Sequence, residues 1–579
     1  MSERSRRWWL DAVVYQVYLR SFADSDGDGI GDLRGLRARL DYLSHLGVDV
    51  VWITPFYPSP QVDNGYDISD HEAVDPLFGT EEDFDELVAE IHARGMKVMI
   101  DVVLNHTSDQ HPWFLESRSS TTDSKRDWYI WRPPREGAVP GTPGAEPTNW
   151  LGFFAQPTWT YDEASGEYYL HLFSKEQPDL NWENREVREA LYAMLRGWLA
   201  RGVDGFRMDV INVISKRYPL IDVTADGPGT YADASGQYTS GPRLLEFLHE
   251  LKAEVLDSAG KELLTVGEMP GATVEDALAV TGGPDPSLSM IFTFEHMDVD
   301  HAPGWAGRYE PKAFDLRQLK SVMARWQEGL AGTGWNSLYF GNHDQARVVS
   351  RFGSRDPRFS ALSAKLLATV LHLHRGTPYI YQGDELGMRN YPFSSIQDFA
   401  DVDAHNSWAY GLAAGTPPER LLAGLRQNGR DNARTPMQWD TSEHGGFTDG
   451  TPWLAVNPDT AVVNAAAQVD DEASVFSHYR RLIELRHQHA VVADGDYRLL
   501  APDHEHLYAF DRTLGDERWV VAANFSDSPI ELGTAQDAEL DLALGRTPEL
   551  VLTNYDVAHR NGEPGALRPW EARIYRIHS

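Results

Sequence analysis

Runs of apolar, β-branched residues alternate along the chain with stretches in which apolar positions recur every three or four residues. VVYQVYL is followed by an amphipathic stretch over Leu33 to Leu46 and then by VDVVWITP. Phe84, Leu87, Val88 and Ile91 fall on one helical face that stops at Gly95, and the strand-like run KVMIDVV comes next. Val187, Leu191, Met194, Leu195 and Trp198 form another helical stripe, ended by Gly202 ahead of GFRMDV. LLTVGE, LSMIFTFE, NSLYFGNHD and PYIYQGDE complete a set of eight strands, mostly separated by helices. That pattern predicts an α/β fold, a closed parallel (β/α)8 barrel of the TIM type.

Two stretches break the alternation. Residues 107–177 are too long for a barrel loop and rich in Trp, Tyr, Pro and Gly, which predicts a subdomain inserted after strand 3 and covering the site. Residues 386–470 form a second excursion, before a final helix around Ala473–Arg486. From 491 onward, short alternating runs such as HLYAFDRT, RWVVAANF and EARIYRI predict a small antiparallel β-domain. The expected organisation is a barrel from 1–106 and 178–490, an inserted subdomain at 107–177 and a C-terminal β-domain at 491–579.

A length of 579 residues with 42% hydrophobic composition suits a large barrel with additions. A formal charge of −35 argues against nucleic acid or an anionic membrane as partner and favours a neutral or cationic small molecule. With no cysteine, disulfides and thiolate metal sites are excluded. SRRWWL near the start is similar to a twin-arginine export signal, but Asp11 interrupts any apolar region behind it. A cytoplasmic protein is expected, a monomer or weak homo-oligomer.

DSDGDGIGD, from Asp24 to Asp32, has the oxygen spacing of half an EF-hand loop. An EF-hand requires a bidentate glutamate at its twelfth position, where Gly35 stands, and the segment before the loop reads as a strand rather than a helix. The sensor reading fails, yet four carboxylates in nine residues repel one another unless a cation bridges them. A hard, oxygen-ligated ion, Ca²⁺ or Mg²⁺, is expected in a structural role.

In such barrels the reactive groups stand at the C-terminal ends of strands. Those ends carry Asp101, Asn105 and His106 after strand three, Arg207 and Asp209 on strand four, Glu268 on strand five, and His343 with Asp344 on strand seven. A lone strand-end aspartate is more often a helix cap or an ion-pair partner; this many at four strand ends are harder to dismiss. Arg207 and Asp209, two apart on a strand, point the same way, and a neighbouring guanidinium keeps a carboxylate ionised. Glu268 follows the apolar run LLTV with no basic neighbour in sequence, so it is expected to keep a raised pKa and a proton. An ionised Asp with a protonated Glu is the division of labour in retaining glycoside hydrolysis.

GFRMDVI, TVGEMP, GNHDQ and DVVLNH resemble the conserved regions of glycoside hydrolase family 13, the α-amylase family. WWLDAVVYQVYLRSFADSDGDGIGDLRG, DNGYDISD, QPDLNW and GRDNARTPMQWD are similar to its oligo-1,6-glucosidase, dextran glucosidase and sucrose isomerase branch. The resemblance spans essentially the whole chain, with Leu19 standing where many relatives have proline. It implies Asp209 as nucleophile, Glu268 as general acid/base and Asp344 as a third carboxylate holding sugar hydroxyls. It further implies that His106 and His343 bind hydroxyls of the same glucose, that Asp63 and Arg430 grip its far end, and that Tyr66 stacks beneath it. The bland alternatives are that Arg430 pairs with Asp431 or another acid and that Tyr66 is core. Asp24, Asp26, Asp28, the Ile30 carbonyl and Asp32 match the branch's structural calcium loop.

Val210, directly after the nucleophile, resembles enzymes of the branch that prefer α-1,6 bonds, where threonine marks α-1,4 preference; Gln177 in QPDLNW points the same way. The implied substrate is a small neutral oligosaccharide, isomaltose or a short isomalto-oligosaccharide, with no organic cofactor. Sucrose isomerase or a transglucosylating α-glucosidase is the nearest alternative; HMDVDHAPGWAGRYEP lacks the arginine-rich segment of the isomerases. Trehalose synthase lacks motif support. A non-catalytic, transporter-escorting heavy chain calls for a transmembrane helix and lost carboxylates, and the sequence carries neither.

Overall fold

The computed structural model describes residues 7–225, 231–302, 305–310, 312–533, 538–544, 548–555 and 565–578. Eight parallel strands form the central sheet: β1 (Val14–Val17), β2 (Val50–Ile53), β3 (Lys97–Val103), β4 (Gly205–Asp209), β5 (Leu264–Glu268), β6 (Met290–Phe292), β7 (Ser337–Leu338) and β8 (Thr377–Tyr381). Their order is β6-β5-β4-β3-β2-β1-β8-β7, and a parallel bridge between Ile291 and Asn336 closes the ring.

The helices follow from local signals. Glu81–Ala93 starts at a capping box between Thr80 and Asp83 and buries Phe84, Leu87, Val88 and Ile91. Arg185–Ala200 is capped by Asn184 and buries the predicted stripe from Val187 to Trp198. The stretch from Leu33 to Leu46 is two helices, Leu33–Ala38 and Leu40–Leu46, because Arg39 between them leaves helical geometry.

The barrel interior is packed. Trp52, Phe292 and Tyr379 meet with ring centroids 4.7–6.1 Å apart. Asp101, Arg207, Asp209, Glu268 and His343 carry the polar chemistry of the strand ends and are all buried. β7 is far shorter than NSLYFGNHD implies. Tyr339 Oη donates to the Thr293 carbonyl at 2.7 Å, and the imidazole of His296 lies 2.7 Å from the Tyr339 carbonyl, so side chains replace the strand ladder there.

The excursion after β3 contains the helix Pro112–Ser119 and a three-stranded antiparallel sheet of Trp131–Arg132, Trp159–Asp162 and Glu167–Leu170. Its aromatic cluster is shared with the segment after β4. Trp150, Trp159 and Tyr168 pack with Val210, Val213 and Tyr238, and Trp150–Leu151 pairs in parallel with Ala232–Asp233. The cover over the barrel mouth thus draws on the segment after β4 as well as on the insert after β3, where the sequence pattern assigned it to the insert alone. The C-terminal sheet has five antiparallel strands, and its loop carbonyls at Ala501, His504 and Leu507 accept from the buried Lys320 Nζ at 2.7–3.0 Å. Among the described residues, no helix is long and apolar enough to cross a membrane.

Candidate active site

Strand register assembles the centre. β3 and β4 pair with Asp101 beside Arg207, and β4 and β5 with Val266 beside Arg207. Asp209, two residues on, shares Arg207's face of the strand. Arg207 Nη1 lies 2.8 Å from Asp101 Oδ1 and 2.5 Å from Asp209 Oδ1, while Nη2 lies 2.7 Å from Glu268 Oε2. One guanidinium therefore serves three carboxylates.

This corrects one expectation and adds a neighbour to another. Glu268 does have a basic neighbour, brought to it by the fold rather than the chain. Arg207 is also not reserved for Asp209, so burial pushes Asp209 up to about 7 against the opposing pull of Arg207. Burial pushes Glu268 further, to about 8; Arg207 pulls the other way and Asp209 adds to the rise. Of the two, Glu268 is raised further, the direction that an acid opposite an ionised Asp requires. Asp101 also accepts from Trp52 Nε1 at 3.2 Å and Tyr66 Oη at 2.9 Å, which places it as a brace for the centre.

Asp344 lives among cations. Arg430 Nη1 and Arg434 Nη2 reach its Oδ1 at 3.2 and 2.8 Å, and Arg308 donates to its carbonyl. Burial raises its pKa, but the positive charge of these arginines overcomes that and holds it well below the ordinary carboxylate range. Burial lowers His343 to about 3, so this imidazole is neutral at pH 7 and the arginines carry the effect.

Asp63, Tyr66, His106, Asp209, Val210, Glu268, Asp344 and Arg430 all line one cavity of about 670 Å³. Arg207, His343 and Gln177 are not on its surface but directly behind it. Gln177 Nε2 reaches Asp63 Oδ2 at 3.1 Å and lies 3.2 Å from His106 Nε2. His343 stacks on Tyr66 at 5.0 Å and lies 2.8 Å from Gln16 Nε2. Arg430 pairs with Asp63, Asp344 and Asp401, not with Asp431; Tyr66, although buried, shows its ring to the cavity. The sequence reading passed over Phe154, Phe173, Arg308, Asp401 and Asp403. Their signal was weak: two aromatics in an aromatic-rich insert and three charges in segments without strand or helix period.

Val210 has φ 36° and ψ 42°, a left-handed conformation that is costly for a β-branched residue, and its N–H donates to Glu268 Oε2 at 3.2 Å.

In the opening loop, carboxylate oxygens of Asp24, Asp26 and Asp28 lie within 4.8 Å of one another. Ile30 donates its N–H to Asp28 Oδ1 at 2.8 Å, whereas Asp32 turns its carboxylate to Ser25 and to the Gly35 N–H, capping the next helix. Three carboxylates and no softer donor fit a hard divalent cation.

A model of the alpha amylase catalytic domain matches residues 16–495, and one of the maltogenic amylase C-terminal domain matches residues 497–574. The chain is similar to an oligo-1,6-glucosidase of Parageobacillus thermoglucosidasius, 50% identical over 574 residues and 99% of each chain. It is 48% identical to an oligo-1,6-glucosidase of Halalkalibacterium halodurans over 573 residues, again 99% of each. The crystal structure of isomaltulose synthase from Erwinia rhapontici superposes with a TM-score of 0.90 at 39% identity, covering 99% of each chain.

Proposed function

The chain belongs to the α-amylase family, glycoside hydrolase family 13, and from that premise we propose that it is a retaining, exo-acting α-glucosidase that cleaves α-1,6 bonds at the non-reducing end of isomaltose and short isomalto-oligosaccharides. The observation that carries this reading is the pair Asp209 and Glu268 on one guanidinium, at a cavity whose other wall is the Asp63–Arg430–Asp344 cluster. In this reading Asp209 attacks the anomeric carbon while Glu268 gives its proton to the departing glycosidic oxygen. The resulting glucosyl ester is hydrolysed by water, whose proton Glu268 accepts. Asp63 and Arg430 seat the terminal glucose, Asp344 and His106 bind its hydroxyls, and Tyr66 lies against its face. Incubation with isomaltose, maltose and sucrose, followed by chromatography, tests the proposal: glucose released chiefly from isomaltose is expected. Conversion of sucrose to its isomers would move the assignment to the sucrose isomerases. Residues 303, 304 and 311 of the stretch that argues against them lie outside the described residues.

Val210 is proposed to tune the linkage. Threonine shares the β-branch, so the strained backbone is unchanged, and the substitution replaces one methyl by a hydroxyl. That hydroxyl can bond a leaving sugar held close by an α-1,4 linkage, whereas two methyls pack on the flexible C6 linkage of an α-1,6 substrate. One hydrogen bond is worth about 0.5–1.5 kcal/mol. Val210→Thr is therefore expected to shift the isomaltose-to-maltose kcat/KM ratio toward maltose by at most about tenfold. An unchanged ratio would reduce Val210 to a marker of the preference.

The Asp24–Asp26–Asp28 loop is proposed to hold a structural Ca²⁺, with Mg²⁺ as the alternative; its role is to neutralise the loop. Chelation is expected to lower the melting temperature, since an ion bound only to the folded state stabilises it by mass action. Turnover at low temperature should barely change; immediate loss of turnover without a shift in melting would place the ion in the active site instead. The substrate is a neutral oligosaccharide and the compartment the cytoplasm, in keeping with a net charge of −35 that repels nucleic acid and anionic membranes. A monomer or weak homo-oligomer suffices, because every proposed reacting group comes from one chain.

A further inference from the structure

The helices Val402–Ala413 and Pro418–Asn428 form a hairpin whose two ends meet at one ion pair. Asp401 immediately precedes the first helix, and Arg430 lies two residues beyond the second. Arg430 Nε reaches Asp401 Oδ2 at 2.9 Å and Nη2 reaches Oδ1 at 2.5 Å, a two-pronged contact with a carboxylate that has no solvent exposure. The junction is crossed a second time: Asp431 Oδ2 accepts from the N–H groups of Ala400 and Asp401 at 2.7 and 3.0 Å. The hairpin wall is tied in as well, because Tyr309 Oη donates to Asp403.

We propose that Asp401 is a positioning residue for the glucosidase reaction: it acts through Arg430, locking the guanidinium in the one orientation that presents its remaining edges to the glucose pocket. With Nε and one face of Nη2 occupied by Asp401, the guanidinium reaches Asp63 Oδ1 at 3.0 Å through Nη2 and Asp344 Oδ1 at 3.2 Å through Nη1. Asp401 does not line the cavity, whereas Asp63, Asp344 and Arg430 all do. An arginine side chain is long and loses much rotamer freedom when held. Anchoring it outside the pocket removes that cost from substrate binding and keeps Asp63 and Asp344 spaced for the same sugar. The charge of Asp401 is essential to this role, because neutral asparagine cannot draw in both prongs of a guanidinium that two other carboxylates compete for.

The alternative is purely structural, for Asp401 also caps the helix that follows, accepting from the Asp403 N–H at 3.1 Å. Asparagine caps a helix as well as aspartate does. Asp401→Asn therefore separates the two roles. The proposal expects a melting temperature close to that of the wild type, since Arg430 keeps two carboxylate partners. It expects a rise in the inhibition constant of glucose and in KM for isomaltose, and kcat/KM lower by roughly 10–100-fold. Wild-type kcat/KM and glucose inhibition in Asp401→Asn would overturn it. Acting through Arg430 also predicts non-additivity: on an Arg430→Ala background, Asp401→Asn should weaken glucose binding no further. A full additional loss there would also overturn the assignment, and this background removes the guanidinium left short of a partner should the single variant fold poorly. The inference rests on the proposed glucosidase activity. A wild type inert toward α-glucosides would sink that activity itself, while an active wild type with an indifferent Asp401→Asn would sink only the role of Asp401.

Discussion

Asp209→Asn is expected to lower kcat for isomaltose by at least about 10⁴-fold, the scale on which enzymes lose turnover when a covalent nucleophile is removed. The amide cannot form the glucosyl ester, and no other carboxylate stands ready to replace it. Asp101 is braced by Trp52, Tyr66 and Arg207, and Asp344 is held by three arginines away from the shared guanidinium. The fold should survive, because the substitution relieves crowding around Arg207 rather than creating an unpaired charge. A melting temperature equal to or above that of the wild type is expected, as for other groups held in a conformation that serves chemistry. Turnover within tenfold of the wild type would remove Asp209 from the mechanism.

Glu268→Gln should cost about 10²–10⁴-fold, the usual contribution of a general acid. The loss should depend on the leaving group. Isomaltose needs a proton on its departing oxygen and suffers fully. An aryl glucoside with an acidic phenol needs none, so ester formation proceeds and its hydrolysis becomes the slow step, visible as a burst of phenol. The pH profile supplies the sign. Glu268 must be protonated, so wild-type kcat/KM on isomaltose should fall as pH rises through about 8. Asp209 must be ionised, so it should fall as pH drops through about 7. The two limbs belong to the coupled pair, and a narrow bell is expected. Replacing Glu268 by glutamine should remove the alkaline limb from the residual activity on isomaltose; persistence of that limb would assign the acid role elsewhere.

How much of this was legible beforehand depends on the range of the interaction. KVMIDVV is strand from Lys97 to Val103, residue for residue, because a mostly apolar, β-branched run bounded by Gly95 and a polar turn leaves little choice. The strand-end carboxylates were legible for the same reason: barrel geometry assigns strand ends a fixed place. What could not be read was which partner each group meets. Arg207 beside Glu268, Arg430 on Asp401 and Gln177 behind Asp63 join residues between 29 and 114 positions apart or on different strands, and only the closed barrel sets those distances. NSLYFGNHD looked like a full strand because its composition suits one, yet hydrogen bonds of Tyr339 with Thr293 and His296 end it early. Residues 231–243 have no period to betray them, and Ala232–Asp233 joins the site cover by pairing with Trp150–Leu151.

The single guanidinium among three carboxylates has a consequence for how the reaction balances. Around Arg207 the resting centre is short of positive charge, and the proton on Glu268 makes up part of the deficit. As the glycosidic bond breaks, that proton leaves with the departing oxygen, and at the same moment positive charge builds on the anomeric carbon beside Asp209. One cation is exchanged for another within a few ångströms, so the buried centre keeps nearly the same total charge from ground state to transition state.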